Sequence, residues 1–470
     1  MRFFSPDDPR PVHFMGVAGA GMSALALLVR RWGVAVTGCD RDPDGPAGAA
    51  SSGDVRKAGG VVLAGHDPSH VEGVQAVVVT AAVPPDHVEL ERARALGIPI
   101  VRRADALAAA IAPGQVVAVA GTHGKTTTTA MTTEALAAAG LDPTGIAGGR
   151  IASWSGNTRF GGDAIFVVEA DEYDKSFLAL SAEVAVINNV EADHLECYGS
   201  IGSLEDAFVQ FARPARRVIV GADDAGARRV AARTGRRTWS VGVAAQADVR
   251  IADVRQETSG TTASIVLPGG GTVELRLMVP GLHNVRNAAA ALAVTREMGG
   301  KVEPALEALA LFEGVGRRFE RLGSVGGVTL VDDYAHHPTE IAATLEGARQ
   351  AYPGRRVVAV FQPHLYSRTA SHGTAMGRAL AAADVVVVTD VYAARETPVP
   401  GVSGELVADA ARGAGREVHW VPSRAELPAA VAALARDGDV VLTLGAGDIT
   451  AAAREIRALL AARKAGGARR

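Results

Sequence analysis

Residues 120–127 read AGTHGKTT and have the residue types and spacing of a phosphate-binding loop. The apolar residues 116–119 predict a buried strand before the loop, and residues 130–139 predict a helix after it that ends at Gly140. In a strand, turn and helix of this kind, the N–H groups of the turn and the positive helix end face the phosphates of a nucleotide. Lys125 is expected to reach the β- and γ-phosphates, and the Thr126 hydroxyl is expected to bind Mg²⁺.

The match to the full consensus of this loop is incomplete, because its early glycine falls on Val119. The alternative is a glycine-rich turn that only caps a helix. The correct order of the flanking elements favours nucleotide binding.

Two further predicted strands of the same region end near groups that bind divalent cations. One ends at Glu169 and the other leads to His194. Because the carboxyl ends of parallel strands line the ligand crevice of an open sheet, Thr126, Glu169 and His194 are expected to meet around one or two ions. Oxygen ligands suit Mg²⁺, and an imidazole also admits Mn²⁺. A purely structural role is the alternative for His194.

An earlier glycine turn, GVAGAG at residues 16–21, lies between a predicted strand at 12–15 and a predicted helix at 22–32. Its spacing differs from the dinucleotide fingerprint G-x-G-x-x-G, so a nicotinamide cofactor is only weakly supported. The helix end still favours an anion. Asp40, at the end of the next strand (34–37 and the residues after it), is placed to accept hydrogen bonds from a ribose or a base.

Polar side chains are concentrated after two strands near the C-terminus. Residues 332–338 read DDYAHHP and residues 362–368 read QPHLYSR. Burying so many polar groups is costly without a function, and an arginine is a natural clamp for a small carboxylate. Arg318, which precedes this region, could stabilise a transferring phosphoryl group.

Alternating strands and helices predict an α/β protein with parallel sheets. At 470 residues the chain is expected to form about three domains. We place them at residues 1–113 (Rossmann-like), 114–318 (a central ATPase-like domain) and 319–470 (a doubly wound, Rossmann-like domain). Residues 248–277 are rich in Gly and Thr and predict a small antiparallel sheet within the second domain.

Composition excludes several classes of partner. The net charge is −3 and no basic block is present, so nucleic acid is not expected. No apolar run is long enough to span a bilayer. The two cysteines, Cys39 and Cys197, are far apart in sequence and give no disulfide framework, which favours the cytoplasm.

In the order and residue sequence of these segments, the chain resembles the Mur ligases of peptidoglycan precursor synthesis over nearly its whole length. The resemblance rests on GTHGKTT (121–127), EADE (169–172), NVEADHL (189–195), GLHNVRNA (281–288), GVGRRFE (314–320), DDYAHHPTE (332–340) and FQPHLYSRT (361–369). Together with GAGMS (19–23), DDYAHHPTE is most similar to the members that add L-alanine to UDP-N-acetylmuramate.

The resemblance implies an ATP-dependent ligation through an acyl phosphate, with a role for each matching residue. The UDP-sugar would contact Gly19, Gly21, Ser23 and Asp40. ATP would contact Gly121, Thr122, His123, Gly124, Lys125, Thr126, Thr127, His283, Asn284 and Asn287. Thr126, Glu169 and His194 would hold Mg²⁺ or Mn²⁺. The amino acid would contact Tyr334, His364 and Arg368, while Lys125, His194, Arg318, His336 and His364 would act in catalysis. Some members have a second arginine where Leu365 stands here.

Several alternatives remain open at this stage. EADEYD (169–174) is also similar to the recycling ligase that adds a whole tripeptide to the same sugar nucleotide. A phosphate-loop ATPase that couples hydrolysis to motion, a nicotinamide oxidoreductase and a non-catalytic nucleotide-binding module are the other classes. A monomer or a weak homodimer is expected.

Overall fold

The computed structural model describes residues 3–45, 48–257, 260–394 and 396–467, with side chains through residue 463. Its contacts divide the chain into two compact units. The first contains Met1–Ala252, Ser264–Glu274 and Arg286–Ala310, and the second contains Asp253–Ala263, Leu275–Val285 and Leu311–Arg470. None of the helices in the described ranges combines the length and apolar character of a bilayer span.

The first sheet is a five-stranded parallel sheet in the order β3-β2-β1-β4-β5. Its strands are β1 (Val12–Met15), β2 (Val36–Asp40), β3 (Val61–Ala64), β4 (Ala76–Val79) and β5 (Ile100–Arg102). Its helices are α1 (Ala20–Arg31), α2 (Ala49–Lys57), α3 (Val88–Ala95) and α4 (Arg103–Ile111). The predicted strand at residues 12–15 is confirmed, whereas β2 lies two residues later than predicted and includes Asp40.

The second sheet surrounds the loop at residues 121–124 and also lies in the first unit. Its strands and helices up to residue 252 are β6 (Gln115–Ala120), α5 (Lys125–Ala138), β7 (Thr144–Ile151), β8 (Gly156–Arg159), β9 (Ile165–Glu169), β10 (Val184–Ile187), α6 (Leu195–Tyr198), α7 (Ile201–Ala212), β11 (Arg217–Gly221), α8 (Ala225–Thr234), β12 (Arg237–Gly242) and the start of β13 (Val249–Glu257). These eight strands lie in the order β13-β12-β11-β10-β6-β9-β7-β8. Among them, β8 runs antiparallel to β7 and the other adjacent pairs are parallel.

Strands β13, β14 (Gly260–Leu267) and β15 (Gly271–Leu277) lie where a small antiparallel sheet is predicted. They continue the second sheet in the order β15-β14-β13, so the prediction of a separate small sheet is wrong. Two helices follow them, α9 (Leu282–Glu297) and α10 (Val302–Ala310). The predicted division of the chain into three domains stays a prediction.

The third sheet belongs to the second unit and has six strands in the order β16-β17-β21-β18-β19-β20. The strands are β16 (Glu320–Val325), β17 (Val328–Asp333), β18 (Val357–Phe361), β19 (Val385–Val388), β20 (Glu417–Trp420) and β21 (Val440–Leu444). The helices are α11 (Pro338–Ala351), α12 (Tyr366–Leu380), α13 (Glu405–Gly413), α14 (Leu427–Leu434) and α15 (Ile449–Gly467). Apolar side chains cover both faces of this sheet, as a doubly wound fold requires.

Strand β16 is not anticipated by the sequence analysis, and it runs antiparallel to β17. A two-residue turn joins the strands, because Val325 pairs with Val328. Gly326 and Gly327 both have positive φ, at 57° and 75°, which favours a tight hairpin turn of the I′ type. The parallel prediction for this sheet is therefore wrong at its edge and confirmed for its other pairs.

Candidate active site

Three adjacent parallel strands end together around the phosphate-type loop. Ala120, the last residue of β6, pairs with Ile187 of β10, and Val119 pairs with Glu169 of β9. The carboxyl ends of β9, β6 and β10 therefore lie side by side, where open α/β sheets bind their ligands. This register brings Glu169 and the loop to the same edge, as predicted.

Glycines make the loop possible. Gly121 has φ 132°, and a Cβ there would lie 3.0 Å from the backbone N of Asn188. Gly124 has φ 78° and is the N-cap of α5. Helix α5 begins at Lys125, five residues before the predicted start. Its first turns are rich in threonine, a weak helix former, but burial of Thr126 and its neighbours against the sheet outweighs that preference.

Lys125 is the most tightly held side chain of the loop. Its Nζ donates to the carbonyl oxygens of Gly121 at 2.7 Å and Thr122 at 3.2 Å, and to Glu172 Oε1 at 2.9 Å. Burial alone would lower the pKa of Lys125, but the nearby carboxylates, Glu172 foremost, outweigh it and raise the pKa. Lys125 is therefore a cation poised beside the loop's backbone.

Glu172 is a buried counter-ion that the sequence analysis does not assign. It is 2% exposed and forms the ion pair with Lys125. It lies within the EADE phrase, three residues after the strand-end carboxylate Glu169. Only the fold brings it to Lys125, 47 residues earlier in sequence.

Two asparagines after β10 fasten the loop. The Asn188 side chain donates to the His123 carbonyl oxygen at 3.2 Å and to Thr128 Oγ1 at 3.0 Å. The Asn189 side chain accepts from the His123 N–H at 2.7 Å, and its carbonyl oxygen accepts from the Thr122 N–H at 3.1 Å. These bonds set the direction of the loop's backbone, and they explain why two polar residues follow an apolar strand.

We expect Asn188→Ala to raise the KM for ATP about 30-fold, since it removes two hydrogen bonds worth about 1 kcal/mol each. Thr128→Val removes the hydroxyl partner and should have a smaller effect in the same direction. Steady-state kinetics of both variants and of the double variant form a mutant cycle. Effects that simply add would show that the bond between Asn188 and Thr128 does not support the loop.

The three residues predicted to bind divalent cations are held by different neighbours. Glu169 Oε2 accepts from the Gly148 N–H at 2.6 Å. Thr126, in the first turn of α5, is 6% exposed. His194 has φ 53° and precedes α6, with its Nδ1 3.4 Å from Glu196 Oε1. Hydroxyl, carboxylate and imidazole are a donor set that fits Mg²⁺ or Mn²⁺, and the metal assignment stays a prediction.

The residues predicted near ATP on α9 differ in their surroundings. Asn287 Oδ1 accepts from Thr128 Oγ1 at 3.1 Å, so this asparagine reaches the helix that follows the loop. Asn284 donates from Nδ2 to the Pro280 carbonyl oxygen at 2.7 Å, near the start of α9. His283 packs over Gly281, where a Cβ would lie 2.5 Å from the ring's Cε1, so the missing side chain leaves room for the imidazole. Their role in ATP binding stays a prediction.

The first glycine turn is stabilised from within. Asp40 Oδ2 accepts from the Ala18 N–H at 3.1 Å, so this carboxylate fastens the turn that it follows in the sheet. Gly19 is the N-cap of α1, and a Cβ at Gly21 would lie 2.9 Å from Arg103 Nη1. Ser23 is 1% exposed and donates to the Ala20 carbonyl oxygen at 3.0 Å. Contacts of these four residues with a UDP-sugar stay a prediction.

The second unit gathers into one cluster the residues predicted to contact the amino acid and three of the predicted catalytic residues, Arg318, His336 and His364. The guanidinium groups of Arg317 and Arg318 lie 4.8 and 5.0 Å from the centre of the Tyr334 ring. The His336 ring contacts Tyr334 edge-on at 5.2 Å. Arg318 also pairs with Glu340 at 3.5 Å. Tyr334 is thus fixed between two cations and an imidazole.

The cluster continues to the end of β18. The His364 ring lies 6.4 Å from that of His336 and stacks on Tyr392 at 5.7 Å. Arg368, 7% exposed, donates from Nη1 to His364 Nδ1 at 3.4 Å. Leu365 has φ 67°, a left-handed conformation that turns the chain into α12. Tyr392 is a member of this cluster that the sequence analysis missed.

Asp333 fastens the backbone beneath this cluster. Its Oδ2 accepts from the Phe319 N–H and its Oδ1 from the Ala335 N–H, both at 2.7 Å. Burial raises the pKa of Asp333 to about 6, against the lowering effects of Arg318 and of these two hydrogen bonds. The carboxylate joins residue 319 to the loop that bears Tyr334 and His336.

This fold and this loop are typical of nucleotide-binding α/β proteins, and comparison with known proteins makes the class specific. Residues 11–114 match the catalytic domain of the Mur ligase family, residues 119–295 match the Mur ligase middle domain, and residues 317–447 match the Mur ligase glutamate ligase domain. The chain belongs to the Mur ligase family.

Individual relatives show which kind of Mur ligase this chain is similar to. The UDP-N-acetylmuramate–L-alanine ligases of Cutibacterium acnes and Kineococcus radiotolerans are 45% and 46% identical to this chain, each over 96% of both proteins. The solved UDP-N-acetylmuramate-alanine ligase of Thermotoga maritima superposes with a TM-score of 0.81 at 31% identity, over 95% of this chain and 98% of that one. A murein peptide ligase from Psychrobacter arcticus, 24% identical over 96% and 99% of the two chains, shares the fold with a TM-score of 0.72.

Proposed function

We propose that this chain joins L-alanine to the carboxylate of UDP-N-acetylmuramate, with ATP converted to ADP and phosphate, in peptidoglycan precursor synthesis. The observation that carries the proposal is the set of three strand ends that position Lys125 and Glu169, in a chain similar over nearly its whole length to alanine-adding relatives. A lysine beside backbone N–H groups suits phosphoryl transfer to a carboxylate.

The first step forms an acyl phosphate. A muramoyl carboxylate oxygen attacks the γ-phosphorus of ATP, the bond to the bridging oxygen breaks, and ADP leaves. Lys125 stabilises the negative charge on the transferring group. For this its Nζ must turn from the carbonyl oxygens of Gly121 and Thr122, which it contacts in this structure. Arg318 is a second candidate cation for the transferring group.

The second step forms the amide. The neutral amine of L-alanine attacks the acyl carbon and phosphate leaves. The Arg368 guanidinium, buried in the second unit, is suited to the alanine carboxylate. Tyr334 and His364 border the same cluster, and His336 or His364 would accept the amine proton.

A divalent cation would be held by Thr126, Glu169 and His194. When bound, Mg²⁺ or Mn²⁺ supplies positive charge that offsets the charge of the phosphates. We place the reaction in the cytoplasm, where ATP and nucleotide-activated sugars are available, and expect a monomer or a weak homodimer.

Phosphate release tests the proposal directly. The purified chain is assayed with ATP, Mg²⁺ and UDP-N-acetylmuramate, with L-alanine, glycine, L-serine or the murein tripeptide as the acceptor. We expect release with L-alanine and almost none when the sugar nucleotide is omitted. Activity only with the tripeptide would instead identify the recycling reaction, and release with ATP alone would identify an uncoupled ATPase.

A further inference from the structure

A group of titratable side chains to which the proposed function gives no role lies around the first sheet, in the first unit. The members of this His-Cys-Glu cluster are His13, Cys39, His66, His70, His87 and Glu89. His13, Cys39 and Glu89 are fully buried. Such a concentration of metal-ligating types is unusual in the interior of a domain, where polar groups are costly.

The sheet explains how the first two members meet. In the parallel pair of β1 and β2, His13 lies opposite Thr37, and Cys39 is two residues beyond Thr37. Alternate residues of a strand share a face, so His13, Thr37 and Cys39 lie on the same face. The His13 Nε2 is 3.3 Å from Cys39 Sγ, and its Nδ1 is 3.0 Å from Thr37 Oγ1.

Glu89, in the first turn of α3, supplies the carboxylate of the cluster. Its Oε2 accepts from Cys39 Sγ at 3.2 Å, and its Oε1 lies 2.8 Å from His70 Nδ1. The Asp67 N–H also donates to Oε1, at 3.1 Å. His70 lies in a short 3₁₀ turn, Pro68–Val71, before β4. Four segments distant in sequence thus direct ligand atoms to one point.

We propose that His13, Cys39, His70 and Glu89 form a structural Zn²⁺ site. One ligand atom from each of the four lies within 4.8 Å of all the others. Tetrahedral zinc with bonds of about 2.0–2.3 Å holds its ligands about 3.3–3.8 Å apart. The shortest contacts, 2.8 to 3.3 Å, need only a small outward movement of the side chains to admit the ion.

The surroundings suit such a site. A hydrogen bond between His13 Nδ1 and the Thr37 hydroxyl fixes the ring and directs Nε2 to the ion, which is the common arrangement of metal-bound histidines. When Zn²⁺ binds, the Cys39 thiol releases its proton to water, so the thiolate and the Glu89 carboxylate balance the charge of the ion.

His66 and His87 give the ion a route to the site. Their side chains are 27% and 15% exposed, and both face Glu89, with His66 Nδ1 at 3.4 Å from Oε2. Together with Glu89 they form a second set of ligand atoms within 4.8 Å. Since His66 Nδ1 also lies 3.3 Å from Cys39 Sγ, these two partly exposed histidines connect the buried ligands to the protein surface.

Cobalt substitution tests the proposal in the full-length protein. We expect the chelator-treated chain to bind one equivalent of Co²⁺ with the near-ultraviolet charge-transfer band of a cobalt thiolate, and Zn²⁺ to abolish this band. Cys39→Ser should lose the band. Cys197→Ser is the matched control and should keep it, since Cys197 is the only other cysteine.

Two further measurements distinguish the loss of a metal ligand from misfolding of the Cys39→Ser variant. His70→Ala, at a half-buried position, should weaken Co²⁺ binding at least tenfold while the band remains. Zn²⁺ should raise the Tm of the wild type and of Cys197→Ser but not that of Cys39→Ser. A band that depends on Cys197, or wild-type protein without a thiolate band, would overturn the proposal and leave the cluster as a hydrogen-bonded network.

Discussion

Lys125→Ala is expected to reduce the rate of acyl phosphate formation about 10³-fold, the usual scale for removing a donor that stabilises transition-state charge. The substitution removes a cation that the fold holds within hydrogen-bond reach of Gly121, Thr122 and Glu172. A single-turnover assay with γ-labelled ATP and UDP-N-acetylmuramate measures the effect on this step alone.

The same substitution is also expected to lower the folding stability of the protein. This effect must be separated from its effect on the rate of phosphoryl transfer. Lys125→Ala would leave the Glu172 carboxylate, only 2% exposed, without its cation. Removing one partner of a buried ion pair typically costs about 3–5 kcal/mol of folding free energy. A loss of activity could then reflect a distorted loop.

The double variant Lys125→Ala/Glu172→Gln separates the two effects. It removes both charges, so we expect thermal stability to return most of the way to the wild-type value while phosphoryl transfer stays about 10³-fold slow. Glu172→Gln alone keeps the lysine and serves as the matched control, with at most a modest loss of rate. Recovery of phosphoryl transfer in the double variant would mean that Lys125 acts only as a structural counter-ion.

Local signals in the sequence predicted much of the fold. The apolar residues 12–15 form β1 with the predicted bounds, and residues 116–119 lie within β6, since a strand buried on both faces has a continuous apolar sequence. Strand β16 escaped prediction because its residues are mostly exposed or half-buried and carry no apolar run. The start of α5 was misplaced because threonine's weak helix preference gave way to tertiary burial.

The residues of the candidate site also fall into two groups, those that the sequence predicts and those that it does not. Lys125 and Glu169 could be predicted, because a loop motif and the end of a strand are local features. Glu172, Asn188 and Tyr392 could not, because their parts in the site depend on partners 47, 65 and 28 residues away in sequence. Contacts between residues so far apart in sequence depend on the order of strands in the sheet. The spacing of residues along the chain does not reveal that order.

His364→Ala is expected to slow amide formation about 10²-fold and to leave acyl phosphate formation within a few-fold of the wild-type rate. The imidazole stacks on Tyr392 and receives a hydrogen bond from Arg368, so its loss disturbs the groups proposed to hold alanine. Rapid quenching with hydroxylamine traps the acyl phosphate and separates the two steps. His419→Ala, on the edge strand β20, is the matched control, since His419 is 42% exposed and its ion-pair partner is the neighbouring surface residue Glu417. If His364→Ala transfers no phosphoryl group, the assignment is wrong.

The hydrogen bonds of the two histidines indicate different parts in this second step. A carbonyl oxygen can only accept, so the His336 Nδ1 must donate to Tyr334, at 2.9 Å, which leaves Nε2 of the neutral ring basic. A guanidinium can only donate, so His364 Nδ1 accepts from Arg368 and the proton of the neutral ring lies on Nε2.

We therefore expect His336 to accept the amine proton and His364 to orient the amino acid. His336→Ala should abolish the rise of the amide rate with pH, whereas His364→Ala should lower the rate and keep that rise. The opposite pattern would assign the base to His364.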